Sequence, residues 1–127
     1  MAANGGKAVP LKVSGGFHSP FMENASIRLA EVLGGMEVKA PQVPVYANYT
    51  AEPYTAQTAK ELLVKQVSNP VRWQQTVEKL LEDGVDTFIE VGAGKTLSGL
   101  IRKTIPGAAI FNVEKPEDLQ KLSEVRA

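Results

Sequence analysis

Residues 84–100, GVDTFIEVGAGKTLSGL, contain the pattern that decides the fold. The run at 87–91 is short, mostly apolar and rich in β-branched residues, which predicts a buried strand. A Gly-Ala-Gly turn follows at 92–94, and the leucine and isoleucine residues from 97 to 101 have the spacing of one helical face. A strand, a glycine turn and a helix in this order predict part of a parallel sheet with a helix packed on it.

The alternation of strands and helices continues on both sides of this stretch. We predict strands at residues 43–47 and 108–113, and helices that open at Pro20, near Thr58, after Asn69-Pro70 and at Pro116. From residue 43 onward the two kinds of element alternate, which predicts an α/β fold with parallel strands flanked by helices. Residues 8–14 alternate apolar and polar and predict a strand that belongs to a separate substructure.

Capping residues mark the ends of the first two helices. Ser19 is a favourable N-cap for the first helix, and Gly34-Gly35 ends it. Thr58 and Glu61 have the spacing of a capping box, which predicts that their side chains close the start of the second helix. We expect this second helix to run to about Ser68.

Composition and charge exclude several classes of function. The 127 residues suit one domain or a piece of a larger one, and 14 basic residues balance 14 acidic ones. A neutral chain without a basic run favours neither nucleic acid nor an anionic membrane as a partner. No apolar stretch approaches the ~20 residues that span a bilayer, and residues 1–7 predict a disordered start without a signal-peptide core. The absence of cysteine excludes disulfides and a cysteine nucleophile, and it suits a cytoplasmic protein.

Two glycine motifs fail on inspection. Gly94-Lys95-Thr96 resembles the end of a phosphate-binding P-loop, but Ile89 stands where the first glycine is required. Gly92 and Gly94 have dinucleotide-binding spacing, but Leu97 occupies the third glycine position. Two interpretations of this turn stay open: an anion site made by free backbone N–H groups, or a tight turn into a helix.

His18 is the one histidine of the chain, and it directly precedes the N-cap of the first helix. The positive end of the helix dipole disfavours a charged imidazolium there and favours the neutral, basic form. The residue is therefore either a catalytic base or a solvated loop histidine after the Gly15-Gly16 turn. A lone histidine predicts no metal site. Ser98 lies within a helical pattern and Ser19 at a cap, so neither has the strand-to-helix context of a serine nucleophile.

Several spaced motifs together resemble one family. VSGGFHSPFM at 13–22 resembles the catalytic-histidine segment of malonyl-CoA:acyl-carrier-protein transacylases and of related acyltransferase domains. APQVPVYAN at 40–48, VKQVSNPVRW at 64–73 and the stretch at 84–100 are similar to further family segments, in family order. The resemblance covers nearly the whole chain.

The resemblance implies a C-terminal portion of such an enzyme. In the family, an N-terminal half carries a GQG loop, a nucleophilic serine in G-H-S-x-G and an arginine that binds the malonyl carboxylate; none of these motifs is in this sequence. By resemblance, residues 8–14 are the last strand of a small ferredoxin-like subdomain. Residues 15–127 are the C-terminal part of a large α/β-hydrolase-like subdomain.

The resemblance also implies roles for three residues. His18 matches the general base of the family, and Gln66 matches the residue whose main-chain carbonyl orients that base. Phe17 stands where malonyl-selective domains commonly have Phe, so it predicts a preference for malonyl groups. Malonyl-CoA is the implied substrate, and no cofactor is expected. The implied partners are acyl carrier protein and the N-terminal half of the same enzyme.

Two alternatives to a discrete transacylase of fatty-acid biosynthesis remain. One is an acyltransferase domain of a polyketide synthase; the other is a non-catalytic module that binds carrier protein or coenzyme A. Because the serine motif is absent, we expect the chain by itself to be inactive. Strands that normally adjoin an N-terminal half also predict an exposed edge and apolar face, which an oligomer of this chain would cover.

Overall fold

The structure, a computed structural model, describes residue 5 and residues 13–123. Its helices and strands are a 3₁₀ turn Pro20–Met22 leading into α1 (Glu23–Gly34), α2 (Ala59–Ser68), α3 (Trp73–Glu82), β1 (Thr87–Val91), α4 (Thr96–Thr104), β2 (Ala109–Val113), and a 3₁₀ turn Pro116–Asp118 leading into α5 (Leu119–Ser123). The expectations for residues 1–7 and for most of the strand at 8–14 lie outside the described residues.

The predicted parallel arrangement is confirmed for the two strands β1 and β2. They pair in parallel from Thr87 opposite Ala109 to Val91 opposite Val113, and α4 connects them. Val77 of α3, Phe88 of β1 and Ile101 of α4 are buried together, and they form the hydrophobic core of this half of the chain. The α/β fold class follows from this packing, while the ferredoxin-like subdomain remains an expectation.

Helices α1 and α2 form a second packing unit. They pack on each other, and the 3₁₀ turn before α1 also contacts α2. Leu33 of α1 and Ala59 of α2 are buried, as is the hydroxyl-bearing Ser26. This pair brings the start of α1 close to the end of α2, which is where the candidate site lies.

Residues 43–47 do not form the strand that the sequence predicts. Their pairing is one isolated antiparallel bridge between Tyr46 and Pro53. Pro44 has no backbone N–H and cannot donate to a sheet ladder, and the segment turns back on its own continuation instead of joining β1. The spacing of apolar residues alone does not predict this turn.

The capping box predicted at the start of α2 is also wrong, although the helix itself is confirmed. Thr58 is the N-cap residue, but its backbone is helical and its side chain makes no capping bond. Its hydroxyl instead accepts the backbone N–H of Thr55 at 3.0 Å. Glu61 pairs with Lys65, one turn further along α2, at 2.5 Å. Each side chain therefore has a nearer partner than the one the box requires.

The third helix begins later than predicted. It starts at Trp73 with Arg72 as the N-cap residue, so Asn69-Pro70 does not cap it. The Asn69 side chain bonds backwards to the Lys65 carbonyl and closes α2 instead.

Large apolar side chains remain exposed on the described surface. The most exposed are Phe21, Val91, Val43 and Val13. The outer edges of β1 and β2 carry no paired strand within residues 13–123, as the resemblance implies. No helix in these residues is long and apolar enough to cross a bilayer.

Candidate active site

The turn before α1 holds His18 in an uncommon backbone conformation. His18 has φ +56°, in the left-handed region that a non-glycine residue seldom occupies. Ser19 is extended, as expected before a proline, and Pro20 then opens the 3₁₀ turn. The Ser19 hydroxyl donates to the Gly16 carbonyl at 2.5 Å, so it closes the turn and does not cap the helix. Non-glycine residues held in this region cluster at functional sites, where the surrounding structure maintains them.

Gly16 leaves little room for a side chain. An added Cβ would lie 3.0 Å from Cδ2 of Phe21 and 3.1 Å from the Ser19 hydroxyl. At Gly15 the nearest atom, on the Phe17 ring, would be 3.8 Å away, which is ordinary van der Waals contact. The turn is therefore more sensitive to an added side chain at the second glycine of the pair than at the first.

The structure brings His18, which precedes α1, together with Gln66, which lies near the end of α2. Nδ1 of His18 lies 2.7 Å from the Gln66 main-chain oxygen. A carbonyl can only accept a hydrogen bond, so Nδ1 carries the proton and donates it. In the neutral ring, Nε2 then has a free lone pair, and no described residue bonds to it. An exposed imidazole in this tautomer can accept a proton from a partner that approaches Nε2.

Phe17 lies beside the histidine with its side chain 58% exposed. Its predicted effect on acyl selectivity stays a prediction.

The glycine turn at 92–94 leads to a polar cluster that the sequence analysis missed. The Glu90 carboxylate accepts the backbone N–H groups of Leu97 (3.1 Å) and Ser98 (2.8 Å) at the start of α4. It also accepts the Ser98 hydroxyl (2.6 Å) and the Asn112 side-chain amide (2.9 Å). Asn112 in turn donates to the Ser98 hydroxyl oxygen at 2.7 Å. The cluster thus joins β1, α4 and β2.

This cluster favours the tight-turn interpretation of residues 92–94 over the anion site. The N–H groups of Leu97 and Ser98 already bind the chain's own carboxylate. The bond from the Ser98 hydroxyl, followed by that from its backbone N–H, holds the pKa of Glu90 below its usual range. One signal in the sequence was available: a lone glutamate within an apolar strand requires hydrogen-bond partners.

A third polar cluster joins the loop before α2 to the end of α3. Asp83 accepts Lys79 Nζ at 2.6 Å and the Tyr46 hydroxyl. The Lys79 ammonium and then the Tyr46 hydroxyl lower the pKa of Asp83. We assign this cluster a structural role, because it includes neither His18 nor Gln66.

Known proteins share both the sequence and the fold of this chain. A malonyl CoA-acyl carrier protein transacylase from Bacillus subtilis is 43% identical over 119 residues, which cover 92% of this chain and 38% of that protein. The crystal structure of MCAT from Streptococcus pneumoniae superposes with a TM-score of 0.91 at 35% identity, covering 98% of this chain and 41% of that one. The chain is thus a homologue of the malonyl-CoA:acyl carrier protein transacylases, matching their C-terminal part.

A further transacylase structure includes a carrier protein. It is described as a type II PKS acyl-carrier protein in complex with its malonyl-transacylase, and it matches with a TM-score of 0.90 at 36% identity over 98% of this chain and 41% of that one. No family model matches the chain. The chain spans about two fifths of the length of these transacylases.

Proposed function

We propose that this chain supplies the general base for malonyl transfer from malonyl-CoA to the phosphopantetheine thiol of acyl carrier protein, in cytoplasmic fatty-acid biosynthesis. One observation carries the proposal: His18 donates Nδ1–H to the Gln66 carbonyl at 2.7 Å and keeps Nε2 unpaired among the described residues. The homology to malonyl-CoA:acyl carrier protein transacylases supports the same reaction class.

The proposed reaction uses the base in both half-reactions. Nε2 of His18 takes the proton of a serine hydroxyl on an N-terminal half, and the serine oxygen attacks the thioester carbonyl of malonyl-CoA. Coenzyme A leaves as a thiol after receiving that proton, and a malonyl-serine ester remains. The carrier-protein thiol then gives its proton to Nε2 and attacks the ester, and the serine oxygen recovers the proton as it leaves. Malonyl and proton are both conserved through the two steps.

Gln66 contributes its backbone in this scheme. The carbonyl keeps the ring in the tautomer that exposes Nε2, and it faces the side of the ring that becomes positive when Nε2 is protonated. The end of α2 also presents the negative end of the helix dipole to that charge.

Phe17 is the proposed determinant of acyl selectivity. Its ring would occupy the space that the extra methyl of a methylmalonyl group needs. Discrimination of one methyl in a pocket is worth about 1–3 kcal/mol, or roughly 10–200-fold in kcat/KM.

Two other functions remain as alternatives. An acyltransferase of a polyketide system is supported by the similarity to the malonyl-transacylase of a type II PKS carrier protein. A non-catalytic module that binds carrier protein or coenzyme A is the alternative from a different class, and the absence of G-H-S-x-G from these residues favours it over an independently active enzyme.

A chimera tests the catalytic proposal. The C-terminal part of the Bacillus subtilis transacylase is replaced by this chain, and malonyl transfer to acyl carrier protein is measured. We expect an active chimera whose kcat falls about 10²–10⁴-fold in His18→Ala, the range for loss of a general base. Gln74→Ala, which removes an exposed side-chain amide bond on α3, is the control and is expected to keep activity. The chimera is also expected to prefer malonyl-CoA over methylmalonyl-CoA.

Four outcomes would contradict parts of this proposal. Full activity of the His18→Ala chimera would remove the histidine from the reaction, and equal use of methylmalonyl-CoA would remove the role of Phe17. The chain by itself is expected to form no acyl-enzyme with radiolabelled malonyl-CoA, so stable labelling would reveal a nucleophile within these residues. Specific binding of coenzyme A or carrier protein by the chain, combined with an inactive chimera, would favour the binding module.

A further inference from the structure

The end of α2 explains why the Gln66 carbonyl is available to His18. An α-helix leaves its last four carbonyls without intrahelical partners, and α2 ends at Ser68. In a longer helix, the N–H of residue 70 would bond to the Gln66 carbonyl. Residue 70 is proline, which has no N–H and whose ring would clash with that same carbonyl in a continuing helix. The proline therefore leaves the oxygen of Gln66 unpaired within its own helix.

Pro70 also sets the conformation of the residue before it. A residue that precedes proline is forced out of the helical region towards extended backbone. Asn69 has φ −124° and ψ 157°, which lies within that extended region. The chain thus leaves α2 directly after Ser68, and the departing backbone does not fold over the Gln66 carbonyl.

The Asn69 side chain holds this helix end in place. Its Nδ2 donates to the Lys65 carbonyl at 2.7 Å, which supplies the bond that a helical backbone N–H at residue 69 would have made. The neighbouring carbonyls therefore have different partners: that of Lys65 accepts Asn69, and that of Gln66 accepts His18.

A second bond fixes the spacing of the two helices. The Ser26 hydroxyl of α1 donates to the Val64 carbonyl of α2 at 3.0 Å, and Ser26 is only 4% exposed. Val64 lies two residues before Gln66, so this partly buried bond and the His18 bond tie the same turn of α2 to the α1 segment. These two hydrogen bonds together set the position of the Gln66 carbonyl relative to the His18 ring.

We propose that Asn69 and Pro70 are positioning residues for His18: together they end α2 so that the Gln66 carbonyl remains free to hold Nδ1. The inference deepens the proposed function, and any effect of Asn69 and Pro70 on catalysis rests on that proposed function. Their effect on the tautomer of the His18 ring can be measured without any reaction.

The test is nitrogen-15 NMR of the imidazole in the 127-residue chain. His18 is the one histidine, so its two ring nitrogens give unambiguous signals. In the neutral ring of the wild-type chain we expect Nδ1 to carry the proton and Nε2 to carry none. Pro70→Ala restores an N–H at residue 70, which competes for the Gln66 carbonyl, and we expect the Nε2–H tautomer to rise several-fold. Asn69→Ala is expected to move the tautomer in the same direction by a smaller amount.

Matched controls separate this effect from a general loss of structure. Pro106→Ala changes a proline in the turn after α4, away from His18, and Gln74→Ala removes an amide side-chain bond on α3. Both are expected to leave the tautomer unchanged. Amide spectra identify which variants are folded, and Asn69→Ala keeps the inference testable if Pro70→Ala does not fold. A neutral wild-type ring with its proton on Nε2, or folded Pro70→Ala and Asn69→Ala chains with the wild-type tautomer, would overturn the inference.

The chimera adds a kinetic measurement. Pro70→Ala is expected to lower kcat by about ten- to a hundred-fold, as misplacement of a catalytic group does, with KM little changed. If Pro70→Ala shifts the tautomer in the 127-residue chain but the chimera does not need His18 for activity, the proposed function is refuted and the positioning role stands. If the chimera needs His18 but Pro70→Ala leaves the tautomer of the chain unchanged, the positioning role alone is refuted.

Discussion

Two glycine-containing turns of this molecule lead into helices, and they differ in what the chain does with its polar groups. At 92–94, the carboxylate of Glu90 fills the N-terminus of α4 and bonds to Ser98 and Asn112 as well. At 15–18, the turn bonds within itself through Ser19, while the His18 ring reaches the end of another helix and keeps one nitrogen exposed. The presence of a glycine turn therefore does not by itself distinguish the two regions. The candidate site is the turn whose imidazole has one ring nitrogen without a hydrogen-bond partner among residues 13–123.

The largest expected effect comes from disrupting the filled turn, which is the turn at 92–94 where the Glu90 carboxylate occupies the N-terminus of α4. Ser98→Ala removes a fully buried hydroxyl that bonds to both Glu90 and Asn112. We expect the free energy of unfolding to fall by about 1–3 kcal/mol, because the half-buried Asn112 amide and the Glu90 carboxylate each lose a partner. Thr104→Ala, which removes a hydroxyl that bonds within α4, is the control. Urea denaturation measures both variants, and equal losses would contradict a special role for the cluster.

A smaller effect is expected at the open turn, which is the turn at 15–18 before α1. Gly16→Ala places a Cβ against Phe21 and Ser19, whereas Gly15→Ala meets only ordinary contacts. Because the Phe21 side chain is 90% exposed and can move, we expect Gly16→Ala to cost only about 1 kcal/mol relative to Gly15→Ala. The same urea experiment measures this difference. The His18 ring signals should move in Gly16→Ala and stay in place in Gly15→Ala; the reverse pattern would show that the turn does not position the ring.

The smallest expected effect is on the pH dependence of stability. The pKa of Glu90 is lower in the folded chain than in the unfolded one, chiefly through the Ser98 hydroxyl. Its contribution is therefore complete above the unfolded value of about 4.3 and is lost as the pH falls through the lower folded value. Because the carboxylate is partly exposed, solvent screens much of this contribution.

Denaturation midpoints between about pH 3 and pH 7 measure this loss. Glu90→Gln should flatten the decline in stability at acid pH. Asp83→Asn is the matched comparison, because the pKa of Asp83 is also lowered, first by Lys79, and it should flatten the decline separately. An acid decline identical in wild type and Glu90→Gln would show that the carboxylate of the filled turn contributes no acid-sensitive stability.

Prediction from sequence succeeded where one local rule acted alone. The strand at 87–91, the helix that follows it and the glycine end of α1 were predicted from apolar spacing and capping, and the structure confirms them. It failed where two local partners competed. Thr58 and Glu61 had capping-box spacing, but Thr55 and Lys65 are closer partners for their side chains. Residues 43–47 do not form the expected strand because they pair with the loop that follows them, and the spacing of apolar residues does not predict that pairing.

The candidate site divides in the same way. The sequence by itself determined that the chain has one imidazole, that it precedes a helix and that a proline stands four residues after Gln66. These facts depend only on residue identity and on the geometry of a single helix. The tertiary structure decided that the imidazole meets the Gln66 carbonyl, since the two residues are 48 positions apart and are brought together by the packing of α1 on α2. It also decided that the glycine turn at 92–94 is filled, because the glutamate and its partners come from two strands and a helix that meet only in the folded chain.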